Sequence, residues 1–409
     1  MLKLARLLLY FFIFLIPFQY KVIYYSTEAY YSGFFNPYLT FFLYLPDIFY
    51  ILGILFFGIS LIFSNRIYNF IPKNKYLFFL ITLFLFAIGL SILFSTEKVI
   101  SLLVLLRFIQ FFSVFYLISI GFIKNSTVLR ILVIAVSVSA VIGLLQFINH
   151  GSIGLNFLGE PLLSVDSNAT STLGFLDEKI LRSYGTFPHP NLFAAYLAFC
   201  ILVSFQYLGR YKFLFILLLS LGLIFTFSRS VLFALFISLI IYFLIEIKSS
   251  KLRYFVIFIL LFLFSVLLFY EPIRLRFILG DSAGFIERIN YMILAKNMIV
   301  ENPLGVGLGT FTALGQSFLG TKLMPWLFQP VHNLIILVLS ETGIFGALTF
   351  LLALIYPIFY ILKKSRTSKY AYLISLWVFI IIISQFDHYL LTLYQGQALL
   401  FLFWAQFNL

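Results

Sequence analysis

The segment Val331–Gly346 reads VHNLIILVLSETGIFG, and it places a histidine and an asparagine at the start of a strongly apolar run that follows Pro330. One face of a helix through this run is formed by positions at i, i+4, i+7, i+8 and i+11, namely His332, Ile336, Leu339, Ser340 and Gly343. The pattern predicts a membrane helix with a titratable imidazole at its mouth. Ionisable groups are costly near a membrane interior, so this position needs a physical reason.

The composition of the whole chain excludes a water-soluble domain. Of the 409 residues, 63% are hydrophobic and only 10% are charged, whereas a soluble domain needs charged residues to cover its exterior. The net charge of +13 could indicate a nucleic-acid partner. However, the basic residues occur in small groups between apolar runs, which is the positive-inside pattern of membrane proteins. We therefore predict a polytopic membrane protein and no nucleic-acid partner.

Apolar runs of the length that crosses a bilayer predict an all-α bundle of about twelve transmembrane helices, with residues 1–409 as one integral membrane domain. The runs lie at about 5–22, 45–63, 76–95, 99–122, 129–148, 191–208, 211–227, 230–247, 253–270, 343–362, 371–387 and 390–407. No small-residue cleavage site follows Pro17, so the first run is predicted to be an uncleaved span. The single cysteine, Cys200, excludes an intramolecular disulfide.

Orientation follows from the lysines and arginines, most of which fall in alternate short turns when both termini are placed in the cytoplasm. This topology leaves two long extracytoplasmic segments, residues 149–190 and 271–331, where a polar site can be built. The first is rich in Gly, Ser, Asn and Asp and is predicted to be partly irregular. The second contains a predicted amphipathic helix at about 285–300 and a turn with Gly305, Gly307 and Gly309.

Three arginines are predicted to lie on the same side of the membrane as His332. Arg229 lies in a short turn between two spans, where it is either a snorkelling residue at lipid phosphates or a ligand for a phosphate or pyrophosphate. Arg288 is either part of a solvated helix face or part of the site. Arg182 precedes a proline-bracketed entry into the sixth span, where the side chain of Asn191 is expected to cap the helix.

Arg107 lies inside the fourth predicted span, so it must face the bundle interior or a wet cavity. The sequence leaves three alternatives open: a pair with Asp47, a pair with Glu97, or an extension of the outer site.

Two chemical classes are disfavoured by spacing. The glycine run at Gly305 follows Asn302-Pro303 and not a buried strand, so a tight turn that permits close backbone approach is preferred to a nucleotide-binding loop. No Asp/Glu pair or His/Cys cluster has metal-ligand spacing, so we predict no metal site and no cofactor. His332 is either a satisfied structural residue or a general base, kept neutral by neighbouring positive charge.

Four segments in chain order resemble the O-antigen ligase family: Arg182–Asn191, Thr226–Arg229, Glu301–Phe311 and His332–Gly346. In the last, His332-Asn333 is followed after nine residues by Gly343 and after two more by Gly346. The family joins O-antigen ligases, related O-antigen polymerases and some protein O-oligosaccharyltransferases.

The resemblance implies a metal-independent glycosyltransferase of the C-type, acting at the periplasmic face of the bacterial inner membrane. Its donor is expected to be a glycan on undecaprenyl diphosphate, and its acceptor a glycan such as lipid A-core. On the matching positions, His332 is the expected base, and Arg229 and Arg288 are expected to bind the diphosphate. Further substrate-binding positions are expected at Arg182, Asn191, Lys296 and Asn333, and a structural motif at Gly305, Gly307, Gly343 and Gly346.

Two alternatives remain open from the sequence. An O-antigen polymerase uses the same chemistry, with a second lipid-linked glycan as acceptor. A secondary transporter or flippase predicts charged residues at mid-membrane in several helices and helices broken near their centres; Arg107 is the clear candidate for such a residue.

Overall fold

A computed structural model describes residues 1–26, 30–31, 34–63, 70–167, 170–175, 178–246, 282–315, 329–363 and 369–408. Helices dominate these residues. They are α1 Leu2–Leu15, α2 Leu45–Ile62, α3 Lys75–Ser91, α4 Lys98–Ser119, α5 Asn125–Asn149, α6 Pro190–Tyr207, α7 Lys212–Phe225, α8 Arg229–Ile245, α9 Ser282–Glu301, α10 Leu334–Lys363, α11 Tyr370–Ile383, α12 Tyr389–Thr392 and α13 Tyr394–Ala405. The strands are β1 Lys21–Ser26, β2 Tyr30–Tyr31, β3 Phe34–Phe35, β4 Thr40–Tyr44, β5 Thr172–Phe175 and β6 Glu178–Leu181.

Within the described residues, six helices are long and apolar enough to cross a membrane. They are α2, α3 with the 3-10 turn that ends at Phe94, α4, α5, α6 and α10. The helices α8 and α11 are shorter and also apolar. The chain is therefore a helical integral membrane protein. The predicted run at 253–270 lies outside the described residues, and the number of twelve spans stays a prediction.

The first and last predicted spans differ from the structure. The helix α1 ends at Leu15, before Pro17, and the chain continues into strand β1. The predicted run 390–407 is divided into α12 and α13, because Leu393 between them has an extended backbone with φ −109° and ψ 140°. A side chain at Gly396 would meet the carbonyl group of Tyr389, so the two helices can approach closely only with glycine at this position.

Helix α6 lies at the centre of the bundle, with 78% of its span buried inside the protein. It packs against α5, α7, α8 and α11, while α1 packs on α2 and α3 packs on α10. Small residues in α6 and α7 permit this close packing; Gly222 of α7, for example, lies against Ala140 and Leu197.

The turns between helices gather at two opposite ends. At the basic end, Lys73 donates its backbone N–H to Ser119 (3.3 Å), and the Nε of Arg130 donates to the carbonyl of Tyr207 (3.0 Å). At the other end, which we call the site end, Ser183 N–H donates to Phe225 (2.9 Å). Alternate turns thus share an end, as helices that cross one layer must do.

Strands are the part of the fold that the all-α expectation missed. Among the described residues they form three two-stranded antiparallel sheets, β1–β4, β2–β3 and β5–β6. In the first, Lys21 pairs with Tyr44, with an irregularity between Ile23 and Tyr25. Its sequences, KVIYYS and TFFLY, are rich in β-branched and aromatic residues, which favour strands. In the predicted irregular loop, β5 and β6 form a hairpin before Arg182.

Candidate active site

The start of α10 is set by Asn333. Its side-chain oxygen accepts from the N–H groups of Ile335 and Ile336, both at 3.1 Å, which is the geometry of a helix N-cap. The helix therefore begins at Leu334, whose N–H donates to Ser384 at the end of α11 (2.8 Å). The prediction that His332 lies on the helix face is wrong in position: His332 precedes the helix.

His332 lies against groups from two other parts of the chain. Its ring stacks on Tyr291 of α9 (centroids 5.8 Å apart) and meets the edge of the His388 ring at 5.0 Å. The ligating atoms of His332, Asp387 and His388 all lie within 4.8 Å of one another. The Nδ1 atom of His332 is buried and has no hydrogen-bond partner among the described residues. One polar atom of this ring is thus available to a ligand.

A hydrogen-bonded chain joins Asp387 to Arg182 through Asn191. The amide nitrogen of Asn191 donates to Asp387 Oδ2 (3.0 Å), and its oxygen accepts from Arg182 Nη2 (2.7 Å). Asn191 is therefore a bridge, not the predicted helix cap. The cap of α6 is His189, whose Nδ1 accepts from the N–H of Asn191 at 3.1 Å.

Arg182 is buried and holds the site end together. Its Nε donates to the carbonyl of Thr226 (2.7 Å) and its Nη1 donates to Ser171 Oγ (2.9 Å). These bonds connect the segment before α6 to the turn between α7 and α8. The guanidinium therefore fixes the position of Asn191 and of the turn that precedes Arg229.

Charge states in this cluster follow from burial. Burial is the main cause that lowers the pKa of His332, with a smaller contribution from Arg288, while Asp387 acts in the opposite direction. Burial also lowers the pKa of His388 to about 3 and that of His189 to about 4. The three imidazoles are thus neutral at neutral pH. The sequence attributed the low pKa of His332 to positive charge, but desolvation is the larger cause.

Asp387 is ionised in these surroundings. Burial alone would raise its pKa, but the neighbouring His388, His332 and His189 and the hydrogen bond from Asn191 outweigh burial, and the pKa of Asp387 lies below its ordinary value. Its Oδ1 also accepts from the backbone N–H of His388 at 2.8 Å. A charged carboxylate thus lies beside a neutral His332.

Arg288 and Arg229 are both exposed, and they differ in how they relate to His332. Arg288 lies one turn before Tyr291 on α9, and its positive charge contributes to lowering the pKa of both His332 and His388. Arg229 is the first residue of α8 and follows the turn that Arg182 binds. In that turn Phe227 has φ +49°, a conformation that costs a non-glycine residue about 1–2 kcal/mol. Lys296 lies exposed farther along α9.

The glycine-rich loop fills an interruption in α10. Gly343 has φ +69° and ψ −173°, so the helix is broken there. Gly307 N–H donates to the Glu341 carbonyl (2.8 Å), and Ile344 N–H donates to the carbonyl of Pro303 (3.1 Å). A side chain at Gly343 would collide with the backbone of Leu304. The peptide groups that the break exposes are therefore paired with the loop, as a membrane interior requires.

Two other glycines of the predicted motif also lie at close contacts. Gly305 has φ +88°, and a side chain there would meet the backbone at Glu341 and Gly343. A side chain at Gly346 would collide with Thr342.

One cavity of about 210 Å³ connects the cluster to a second polar group. That volume is more than ten times the roughly 10–15 Å³ that holds one water. One group of its lining residues, here called the histidine wall, consists of His189, His332, Asp387 and His388. A second group, here called the basic–aromatic wall, consists of Lys21, Phe42, Tyr44, Arg107 and Tyr394.

Arg107 combines two of the alternatives that the sequence left open. Its Nη1 donates to Asp47 Oδ1 and to Gln110 Oε1, both at 2.6 Å, and its Nη2 donates to the Phe42 carbonyl at 2.8 Å. It therefore pairs with Asp47, and it also lines the cavity that contains His332.

Asp387 and His388 were not among the sequence candidates. They lie between α11 and α12, where the two last apolar runs almost touch. The available signal was the polar segment Gln385–His388, which interrupts those runs at a turn on the predicted outer side. Asp387 and His388 meet the criterion that directed attention to His332, because they are ionisable residues at the predicted outer end of apolar helices.

A divalent ion fits the chemistry of part of the histidine wall. Two imidazoles and a carboxylate, from His332, His388 and Asp387, are common ligands of such ions. Sequence spacing could not show this set, because His332 is far from the other two along the chain. The two Asp387 oxygens already accept hydrogen bonds, and His388 Nδ1 is bonded to Thr392 Oγ1 (2.8 Å).

Apolar helices around a polar cavity at their ends define an integral membrane protein with a buried, enzyme-like site. Residues 213–351 match the family model described as O-antigen ligase. The match confirms the resemblance to the O-antigen ligase family over α7–α10, the part that contains Arg229, Arg288 and His332. It supports a glycosyltransferase-like function of the ligase or polymerase kind. None of the curated proteins compared with the chain matches it.

Proposed function

We propose that this protein transfers a glycan from undecaprenyl diphosphate to a sugar hydroxyl of an acceptor such as lipid A-core. The observation that carries the proposal is the position of His332. It is a neutral imidazole in a cavity, its Nδ1 has no hydrogen-bond partner in the described part of the chain, and an ionised Asp387 lies nearby. Those are the requirements of a general base.

In the proposed reaction, His332 takes the proton of the acceptor hydroxyl as its oxygen attacks the anomeric carbon of the donor. The bond between that carbon and the diphosphate oxygen breaks, and the diphosphate leaves with the electron pair. Attack from the opposite face inverts the anomeric centre. Asp387 stabilises the imidazolium that forms, because its charge favours protonation of His332.

Arg288 and Arg229 are proposed to bind the diphosphate. A leaving group of that charge needs cationic stabilisation in the transition state. Arg288 is exposed and influences His332 electrostatically. Arg229 lies at the N-terminus of α8, where the helix dipole also favours an anion. Both lie in the family-matched segment.

The orientation is part of the proposal. It comprises twelve spans, cytoplasmic termini and a site that faces the periplasm of the inner membrane. The grouping of basic turns at one end supports the orientation. The lipid tail of the donor stays in the bilayer while its diphosphate reaches the site end.

The transporter alternative is less well supported. It predicts a broken helix whose free peptide groups bind an ion or substrate. The break at Gly343 has its peptide groups paired with the glycine-rich loop, through Gly307 and Ile344. The polymerase alternative shares the chemistry and differs only in the acceptor.

The test is transfer by the purified protein from a synthetic undecaprenyl-diphosphate glycan to two acceptors, lipid A-core and a second lipid-linked glycan. His332→Asn is expected to lower kcat by roughly a hundredfold or more. His150→Asn is the matched control, because His150 is exposed and does not line the cavity. Near-normal transfer by His332→Asn removes the base assignment, and transfer to the lipid-linked acceptor alone replaces the ligase with a polymerase.

A further inference from the structure

The basic–aromatic wall contains a lysine that has no acidic partner among the described residues. The hairpin register places Lys21 opposite Tyr44, and its Nζ lies 4.2 Å from the centre of the Phe42 ring. In the described part of the chain, no carboxylate oxygen lies within 4.0 Å of this ammonium. The side chain is half-buried, and burial lowers the pKa of Lys21 to about 8.

Arg107 on the same wall has its charge compensated. Asp47 lies 2.6 Å from its Nη1, and that carboxylate also accepts from Gln110 and Tyr394. The surplus positive charge of the wall is therefore that of Lys21. A desolvated ammonium without a counterion is costly, and an anionic group on a bound ligand would offset that cost.

The surroundings of Lys21 fit a sugar ring. Tyr44 and Tyr394 stack with their centroids 4.0 Å apart, and both rings line the cavity, as do Thr312 and Gln397. Thr312 Oγ1 and Gln397 Oε1 are buried and have no hydrogen-bond partner among the described residues. Aromatic rings that line a pocket contact the apolar C–H groups of a pyranose, and polar atoms without a protein partner bind its hydroxyls.

We propose that the basic–aromatic wall is a subsite for an acidic sugar of the transferred or accepting glycan, with the sugar carboxylate bound by Lys21. This subsite proposal rests on the proposed function, because it requires that the cavity admits a glycan. It adds a substrate class, because a glycan with a uronic acid at this position gains an ion pair that a neutral glycan lacks.

Two sources could supply an anion to Lys21, a sugar carboxylate and the donor diphosphate. The aromatic lining favours the sugar, as do Thr312 Oγ1 and Gln397 Oε1, which have no hydrogen-bond partner among the described residues. The diphosphate ligands proposed above, Arg229 and Arg288, are not among the residues that line the cavity.

The test is calorimetric binding of three soluble probes, methyl β-glucuronide, methyl β-glucoside and inorganic pyrophosphate, to the full chain in detergent. The wild type is expected to bind the glucuronide roughly tenfold or more tightly than the glucoside. Lys21→Met should remove that preference and leave the glucoside unchanged, while Lys21→Arg should retain it. Lys98→Met is the matched control, because Lys98 is exposed and lies outside the cavity lining.

Equal binding of the two sugars, or an unchanged preference in Lys21→Met, overturns the subsite. Weakened pyrophosphate binding in Lys21→Met, with no sugar preference, assigns Lys21 to the diphosphate and also overturns it. His332→Asn separates the two proposals. If that variant still prefers the glucuronide and transfers at a normal rate, the subsite is kept and the assignment of His332 as the base is rejected. If that variant loses transfer and shows no preference between the sugars, the base assignment is kept and the subsite is rejected.

Discussion

The two walls of the cavity hold their carboxylates by different means. On the basic–aromatic wall, Asp47 contacts a guanidinium at 2.6 Å. On the histidine wall, Asp387 accepts hydrogen bonds from the amide of Asn191 and the backbone of His388 and lies beside neutral imidazoles. A carboxylate that already has a cation is a structural element. A charged carboxylate beside a neutral base can stabilise the positive charge that the base acquires, so the histidine wall is the one suited to proton transfer.

The largest expected effect is on stability, at Arg107. Arg107→Met leaves Asp47 buried without its cation, which should lower the free energy of unfolding by about 3–5 kcal/mol. The double variant with Asp47→Asn, which removes the stranded charge and keeps a hydrogen-bond acceptor, should recover more than half of that loss. Unfolding of the purified protein in detergent measures both. A double variant no more stable than Arg107→Met contradicts the structural assignment of this pair.

Arg229 tests whether the diphosphate is bound by shape or by charge alone. Arg229→Lys keeps the charge and loses the planar pair of donors, so transfer should fall by roughly tenfold or more if the contact is bidentate. Steady-state kinetics with the lipid-linked donor gives the measurement. Arg210→Lys, at the basic end, is the matched control. Unchanged kinetics in Arg229→Lys would mean that its contribution is coulombic.

Asp387 provides a test with a definite sign in pH. In the wild type, transfer requires neutral His332, whose pKa is lowered by burial, so the rate should hold as pH falls through the ordinary imidazole pKa of about 6.5 and decline only at lower pH. Asp387 raises the pKa of His332, so Asp387→Asn should move the acid limb to lower pH. It should also lower the plateau rate by roughly tenfold, since the imidazolium loses its counter-charge. A limb that moves to higher pH, or does not move, contradicts this relation.

The smallest expected effect is that of metal removal. If His332 acts as a base, its imidazole is not bound to an ion during turnover, and transfer should survive dialysis against a chelator. Activity before and after dialysis, with metal content measured in the same samples, decides the point. Loss of transfer that zinc restores would show that His332, Asp387 and His388 are ligands.

The sequence allowed the helices to be located, because a bilayer imposes a length and a polarity that a run of residues displays directly. It also directed attention to His332 and its arginines. The start of α10 was misplaced by two residues, since Asn333 and not His332 caps the helix. The β1–β4 hairpin was missed because its aromatic residues resemble the membrane spans beside them.

Asp387 illustrates what a linear pattern cannot show. Its relation to His332 depends on α11 ending beside the start of α10, where Leu334 N–H bonds the carbonyl of Ser384. The sequence predicts Asn191 as a helix cap because Asn is commonly one at that position. His189 took that role through its ring nitrogen, which left the amide to join Arg182 and Asp387.

The interruption of α10 at Gly343 divides its 30 residues unequally. The part after the glycine, residues 344–363, has a length of about 30 Å at 1.5 Å per residue, which equals the hydrocarbon thickness of a bilayer. The part before it, residues 334–342, adds about 14 Å along its axis. If the longer part alone spans the hydrocarbon, His332 lies outside the hydrocarbon, on the side of the headgroup layer in which a membrane-anchored diphosphate is found. The diphosphate then does not have to enter the bilayer core to be attacked.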